Sequence, residues 1–245
     1  TVGGDGIFDF VMTGITLPAS AQLTTFNGTA QQTFHNIDPD NTYSIVGTPV
    51  PVGWDFTSAI CTGTNTPTNI TPNNGEIVTC TFTNTKRASF SLEKISDPDN
   101  GSFQFDLTGP AQTGIPASYN FTPSGTWDLS NLLSGLYSLS ETILSPVDWT
   151  GSQAIACNGN GDNDPSGSVA NQFEFTLNPG DDMSCTVNNT QDAVISGKKF
   201  IDMDADGQTV SDPAYKDGWT INLYEWGSET ATSTKVTDES GEFQF

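Results

Sequence analysis

The sequence predicts an all-β protein built from tandem immunoglobulin-like β-sandwich domains, and three observations carry that expectation. A block of residues occurs twice at a nearly constant spacing, apolar and polar residues alternate with period 2, and no segment holds a 3.6-residue apolar stripe over three turns. The first copy of the block comprises Gly6-Ile7-Phe8-Asp9-Phe10, Thr42-Tyr43-Ser44, Gly53-Trp54, Ala59-Ile60-Cys61 and Cys80-Thr81-Phe82-Thr83-Asn84-Thr85. The second comprises Gly101-Ser102-Phe103-Gln104-Phe105, Leu136-Tyr137-Ser138, Asp148-Trp149, Ile155-Ala156-Cys157 and Cys185-Thr186-Val187-Asn188-Asn189-Thr190. The shift is 95 from Phe8 to Phe103, 94 from Tyr43 to Tyr137, 95 from Trp54 to Trp149 and 96 from Cys61 to Cys157. Gly241-Glu242-Phe243-Gln244-Phe245 opens the block a third time. Such self-similarity reads as an array of like modules, for which stalks, fibres and binding surfaces come before enzymes.

The strands follow in order from the alternation. Phe8, Phe10 and Met12 share one face, with Asp9 between the first two; Phe90, Leu92 and Lys94 share another. Phe103, Phe105 and Leu107 alternate with Gln104 and Asp106, and Tyr137, Leu139 and Glu141 form the next set. Phe173, Phe175 and Leu177 alternate with Gln172, Glu174 and Thr176, and Cys185, Val187 and Asn189 complete the series. Turn chemistry separates the runs at Thr71-Pro72-Asn73-Asn74-Gly75, Asp97-Pro98-Asp99-Asn100-Gly101 and Asn178-Pro179-Gly180-Asp181. Each full repeat is expected to hold about seven short strands, the rhythm of a β-sandwich. Boundaries at Lys86-Arg87 and Gln191-Asp192 divide the chain into 1–86, a sandwich repeat lacking its first strand, 87–191, a complete repeat, and 192–245, the first part of a third, incomplete domain.

Composition narrows the function. Seven basic residues against 29 acidic ones give a net charge of −22. Nucleic acid is excluded as a partner, because a phosphate-binding surface needs clustered Lys and Arg, and an anionic membrane surface is disfavoured equally. No run approaches the roughly 18 apolar residues of a membrane span, and no signal peptide opens the sequence, which reads as a mature or excerpted chain. The four cysteines fall as one pair per repeat, Cys61 with Cys80 and Cys157 with Cys185, without C-x-x-C spacing. They read as disulfides, hence as an oxidising, extracellular or cell-surface setting, with buried free thiols as the alternative. Sequons at Asn27, Asn69, Asn100, Asn120 and Asn188 are glycosylation candidates that add weak support for export.

Leu133-Ser134-Gly135 followed by Tyr137-Ser138-Leu139-Ser140-Glu141, then Trp149, then Cys185-Thr186-Val187-Asn188-Asn189-Thr190, resembles the Cna B-type, SpaA-like prealbumin-fold repeats of surface adhesins and pilins. Residues 192–245 resemble an SdrD B-like repeat, through Asp202-Met203-Asp204-Ala205-Asp206-Gly207, Gly218-Trp219-Thr220-Ile221-Asn222-Leu223 and Thr237-Asp238-Glu239-Ser240-Gly241-Glu242-Phe243-Gln244-Phe245.

Two chemistries follow. If the apolar members of each strand point inward, so do Lys94, Glu141 and Asn189. A buried charged amine is costly, and desolvation lowers a Lys pKa while raising that of Glu. A neutral amine beside a protonated carboxyl is the equipment for attack on an amide, with Glu141 as proton shuttle. The resemblance implies the same outcome, a Lys94–Asn189 isopeptide bond; the alternative is a Lys94–Glu141 ion pair with Asn189 hydrogen-bonded to a neighbouring strand. Repeat one supplies Asn84 but has Gly47 at the Glu141 position and no preceding Lys strand, so no bond is expected there. Repeat three supplies Lys199 without Glu or Asn partners.

The second chemistry is a cation loop. Asp202, Asp204 and Asp206 alternate ahead of Gly207 and provide the hard oxygens that Ca²⁺ takes. Pro213 stands where an EF-hand needs its bidentate Glu, so that motif fails; the resemblance leaves Asp212 and Gln208 as further ligands, and a solvated acidic turn as the alternative. Asn160, Asp162 and Asp164 form a weaker cluster that reads as an ordinary loop.

Catalysis on a separate substrate is not expected. His35 is the only histidine and reads as a surface strand residue; no nucleophile elbow, zinc motif or phosphate-cradling loop is present, and no organic cofactor is called for. Leu17-Pro18-Ala19-Ser20 is not a sortase signal, and Trp127 and Trp226 serve either as sugar platforms or as packing. The leading expectation is therefore a structural array in an extracellular fibre, filament or stalk, partnered by neighbouring copies of itself or by further repeats of a longer chain. The alternative is an adhesin that binds a glycan or protein ligand. The phase of the repeats against the two chain ends reads as one segment of something longer.

Overall fold

The computed structural model describes residues 1–39, 41–145, 149–150, 155–158, 166–169, 171–205, 207 and 216–245. Its described residues contain strands and no helix, in two compact units, Thr1–Gln191 and Asp192–Phe245.

In repeat one, β1 (Ile7–Thr13), β2 (Ser20–Thr24) and β3 (Ser44–Gly47) form a sheet in the order β2-β1-β3, and β4 (Trp54–Cys61) pairs with β5 (Cys80–Lys86) in a second. Repeat two holds β6 (Ala88–Asp97), β7 (Ser102–Thr108), β8 (Ser118–Phe121), β9 (Gly125–Leu132) and β10 (Gly135–Ser145). It continues with β11 (Trp149–Thr150), β12 (Ile155–Asn158), β13 (Ser166–Val169), β14 (Gln172–Leu177) and β15 (Asp182–Gln191). One sheet runs β13-β14-β10-β7-β8; the other runs β11-β15-β6-β9, with β12 also on β15. The second unit has β16 (Ser196–Lys198), β17 (Thr220–Leu223), β18 (Ser233–Val236) and β19 (Glu242–Gln244), paired as β16–β19 and β17–β18.

The even count of about seven strands per repeat needs correcting, since the described residues hold five in repeat one and ten in repeat two. The physical reason is pairing, since a strand needs a ladder partner. In repeat two, β6 bonds β15 on one side and β9 on the other. In repeat one Val2 takes the place of Asp97: its N–H donates to the Asn84 carbonyl, and its own carbonyl accepts from the Lys86 N–H. Residues 30–35, which follow the Phe26–Thr29 turn, join no ladder among the described residues and form no strand. His35 is exposed in this irregular stretch, not on a strand.

The alternation read from the sequence sets the core. Phe90, Leu92, Phe103, Phe105, Leu139, Leu177, Met183 and Val187 are all essentially inaccessible, and the two faces meet as one cluster. Each such side chain contributes roughly 1.5–3 kcal/mol of burial. The block that defines the repeat is a packing unit. Phe8 meets Trp54 edge-on at 5.1 Å, and Phe103 meets Trp149 in the same way at 5.2 Å. Both tyrosines bury their rings and donate the phenol O–H to an upstream carbonyl, Tyr43 to Asp38 at 2.9 Å and Tyr137 to Leu133 at 2.7 Å. Trp127 is buried, stacked on Tyr119, so it is core rather than a sugar platform; Trp226 is fully exposed. Repeat one is less closed: Phe82 is half-buried, and Phe56, opposite the buried Asn84, is 52% exposed.

Both disulfides form, Cys61–Cys80 across β4 and β5 and Cys157–Cys185 across β12 and β15, each joining directly opposed residues.

Candidate functional site

The site lies inside repeat two, where β6 and β15 run parallel. Their register sets Leu92 against Cys185, Lys94 against Val187 and Ser96 against Asn189. Because side chains alternate, Ala88, Phe90 and Leu92 fix the facing of β6, and Lys94 cannot turn outward without exposing them. Cys185 and Val187 fix Asn189 in the same way. Glu141 comes from the opposite sheet, on β10 across from Phe105, held inward by Tyr137 and Leu139. All three polar side chains are therefore buried: Lys94 is 1% exposed, Asn189 1% and Glu141 6%.

The Lys94 amine donates to the Ile95 carbonyl at 2.6 Å and sits 3.9 Å from the centre of the Phe103 ring. Burial pulls its pKa from 10.5 down to about 8, an effect opposed in part by the charge of Glu141. About a tenth of such an amine is neutral at pH 7 and half at about pH 8. Neither the amide nitrogen nor the amide oxygen of Asn189 has a hydrogen-bond partner. An amide left so costs about 1–3 kcal/mol, and buried polar groups are paired in the large majority of cases. The arrangement is a weakly basic amine and an unsatisfied amide on adjacent strands, faced by a carboxyl from the other sheet.

The structure brings Lys94, Glu141 and Asn189 into one core, as their positions in the strands require. Two neighbours were not singled out by the sequence. Phe103 offers its ring face to the amine; the alternation marks it as core but gives no sign of that second role. Ser96, beside Asn189 in the ladder, shares a hydrogen bond with Ser124 at 3.1 Å, which in turn donates to Asp99 at 3.0 Å. Only its inward register could have marked it.

Repeat one behaves as a control. Gly47 opposes Phe10 as Glu141 opposes Phe105, and Val2 opposes Thr85 as Asp97 opposes Thr190. Asn84 is buried there, with Gly47 in the place that Glu141 takes in repeat two. In the second unit Lys198 pairs with Glu242 at 3.1 Å, while Lys199 places its amine 4.9 Å over the Trp219 ring.

Of the predicted cation loop, Asp202 and Asp204 are described, whereas Asp206, Gln208 and Asp212 lie outside the described residues, as do Asn160, Asp162 and Asp164. The Asp202 carboxylate accepts the N–H groups of Ala205 at 2.7 Å and Gly207 at 3.0 Å, which folds the loop around it. Among the described residues no group of three or more His, Cys, Asp or Glu side chains is placed to hold a metal. The five sequon asparagines are all exposed.

The family profile described as a prealbumin-like fold domain matches residues 1–86 and 90–191. Among solved structures, the chain is similar to the major pilin protein T-13 of Streptococcus pyogenes, at 14% identity over 77% of this chain and 90% of that one, with a TM-score of 0.35. It is similar to a Mobiluncus mulieris adhesin containing intramolecular disulfide, isopeptide and ester bond cross-links, at 9% identity over 79% and 87%, TM-score 0.36. A streptococcal ancillary pilin is similar at 11% identity over 98% and 80%, TM-score 0.33. No curated protein sequence matches the chain.

The lowered pKa of Lys94 has a signed consequence for stability. Between about 8 and 10.5 the unfolded chain binds the extra proton, so stability rises with pH across that window; the burial penalty is fully present below it. An Asn189→Ala chain, which keeps Lys94 a free amine, should gain roughly 2–3 kcal/mol from below pH 8 to above pH 10 relative to an Asn189→Ala/Lys94→Met chain. Urea unfolding of the two at both pH values measures it, and equal pH dependence would contradict the assignment.

Proposed function

The chain belongs to the family of prealbumin-like fold domains, and from that premise we propose that it is a structural segment of an extracellular, cell-surface fibre, filament or stalk. The observation that carries this reading is the burial of Lys94, Glu141 and Asn189 where the first strand of repeat two meets its last. A core that accepts an amine, a carboxyl and an unpaired amide gives up stability unless the three react. In the proposed step Lys94 passes its ammonium proton to the Glu141 carboxylate, and the neutral Nζ attacks the Asn189 side-chain carbonyl carbon. Glu141, protonated, polarises the amide oxygen and then relays the amine proton to the departing nitrogen. One C–N bond forms, one breaks, and ammonia leaves.

The crosslink would close most of the repeat into a covalent loop and remove denatured-state entropy worth about 4–5 kcal/mol, on the loop model used for disulfides. The two disulfides support the extracellular setting and the stiffening role. Partners in this reading are neighbouring copies of the chain or further repeats of a longer one. Intact-mass measurement tests the step: wild type should be lighter by one ammonia beyond the disulfide loss, and Lys94→Met and Glu141→Gln chains should not. An unmodified wild-type mass sinks the crosslink.

Calcium enters as a further part of the proposal. Asp202, Asp204, Asp206 and Asp212, with the Gln208 carbonyl, supply the hard oxygens Ca²⁺ takes, and the ion would stiffen a long loop of the second unit. Adding a chelator should lower the melting temperature of residues 192–245 and leave that of residues 1–191 unchanged. No shift in either would make the loop a solvated acidic turn.

The adhesin reading has one observation in its favour. An open groove of about 490 Å³ beside β8 and β9 is lined by Arg87, Ile115, Tyr119, Asp128, Ser130 and Asn131, which set an exposed aromatic ring among apolar and polar side chains. A saturable glycan or protein ligand for the monomer that is lost in a Tyr119→Ala chain would favour it over the fibre.

A further inference from the structure

We propose that the two repeats of the Thr1–Gln191 unit are locked at one fixed angle by a backbone clasp, in which the turn at residues 178–181 of repeat two closes over Gly3 of repeat one. The inference holds whether or not the chain is part of a fibre.

The connection between the repeats is short. Arg87 alone separates β5 from β6. Its N–H donates to the Gly53 carbonyl at 2.8 Å, and its guanidinium donates to both Asp55 oxygens, at 2.9 and 2.7 Å, and to the Asn131 carbonyl at 3.2 Å. This one side chain therefore ties β4 to the end of β9. The ion pair is about one-third exposed on each side, a setting in which such pairs are worth only about 0–1 kcal/mol. Something else must fix the angle.

Backbone contact supplies it. The Gly180 N–H donates to the Lys86 carbonyl at 3.0 Å across the boundary, and within repeat two the Ser89 N–H donates to the Asp181 carbonyl at 2.8 Å, which holds the turn onto β6. Gly3 and Gly180 lie backbone against backbone. A Cβ at Gly180 would fall on the Gly3 carbonyl, and one at Gly3 would fall on the Pro179 carbonyl. The atoms in the way are backbone on both sides, so a Cβ at either position must push the two surfaces apart. The turn itself is pre-built, because the Asn178 N–H and side-chain amide both donate to Asp181, at 2.7 and 3.1 Å.

Repeat one carries an independent copy of this turn. The Asn73 N–H and side-chain amide donate to Glu76, at 2.9 and 2.8 Å. Gly75 has φ +75° against +78° at Gly180, and a Cβ at Gly75 would meet nothing within 4 Å. Both glycines are required by their positive φ, but only Gly180 is also required by close approach. The two turns thus separate local backbone strain from loss of the clasp.

The test is the alignment of the repeats in the full chain, read from amide residual dipolar couplings. In wild type a single alignment tensor should fit residues 1–86 and 88–191 together. In Gly180→Val and in Gly3→Val chains each repeat should keep its own internal fit but need a separate tensor. Gly75→Val should still fit a single one. Should Gly180→Val disrupt repeat two itself, Gly3→Val, which leaves that turn untouched, decides. A single tensor in Gly3→Val, two tensors in wild type, or a Gly75→Val chain that behaves like Gly180→Val would each overturn the clasp.

Discussion

The parallel ladder between β6 and β15 is the constraint on which repeat two depends. It joins the first strand of the repeat to its last, from Ser89 against Asp182 through to Asp97 against Thr190, and so closes a sandwich whose other pairs are antiparallel. Parallel pairing has a mechanical corollary. The chain enters at the start of β6 and leaves at the end of β15, at opposite ends of the same ladder. Tension along the chain therefore shears all of its hydrogen bonds together and does not peel them one at a time.

The same register decides the chemistry. Once Leu92 lies beside Cys185, Lys94 is carried into the core two residues further on and Asn189 four, and the opposing sheet presents Glu141. Burial weakens the amine as a base, and the buried Asn189 amide has no hydrogen-bond partner. In repeat one Gly47 takes the place of the carboxyl, residues 30–35 form no strand and Phe56 stays half exposed.

Much of this was legible in the sequence because period-2 alternation ties each side chain to a face. Lys94, Glu141 and Asn189 could be placed in the core from Leu92, Leu139 and Val187 alone, and the cysteine pairs from the repeat. What stayed hidden depends on partner choice. Residues 30–35 carry no local signal of whether they join a ladder, so the even strand count and a strand position for His35 did not survive. Trp127 is buried because β9 pairs with β6, a contact between strands far apart in the chain. The approach of Gly3 to Gly180 joins residues of two repeats, and nothing in either turn sequence distinguishes Gly180 from Gly75.

The proposed crosslink would make the first-to-last-strand clamp of repeat two permanent at Lys94 and Asn189. Single-molecule pulling on the ends of the full chain under non-reducing conditions tests it most directly. The predicted trace releases none of the chain between Lys94 and Asn189 in wild type, and releases that stretch, up to the loop held by the Cys157–Cys185 disulfide, in a Lys94→Met chain. Equal release of the stretch in both chains would contradict the claim.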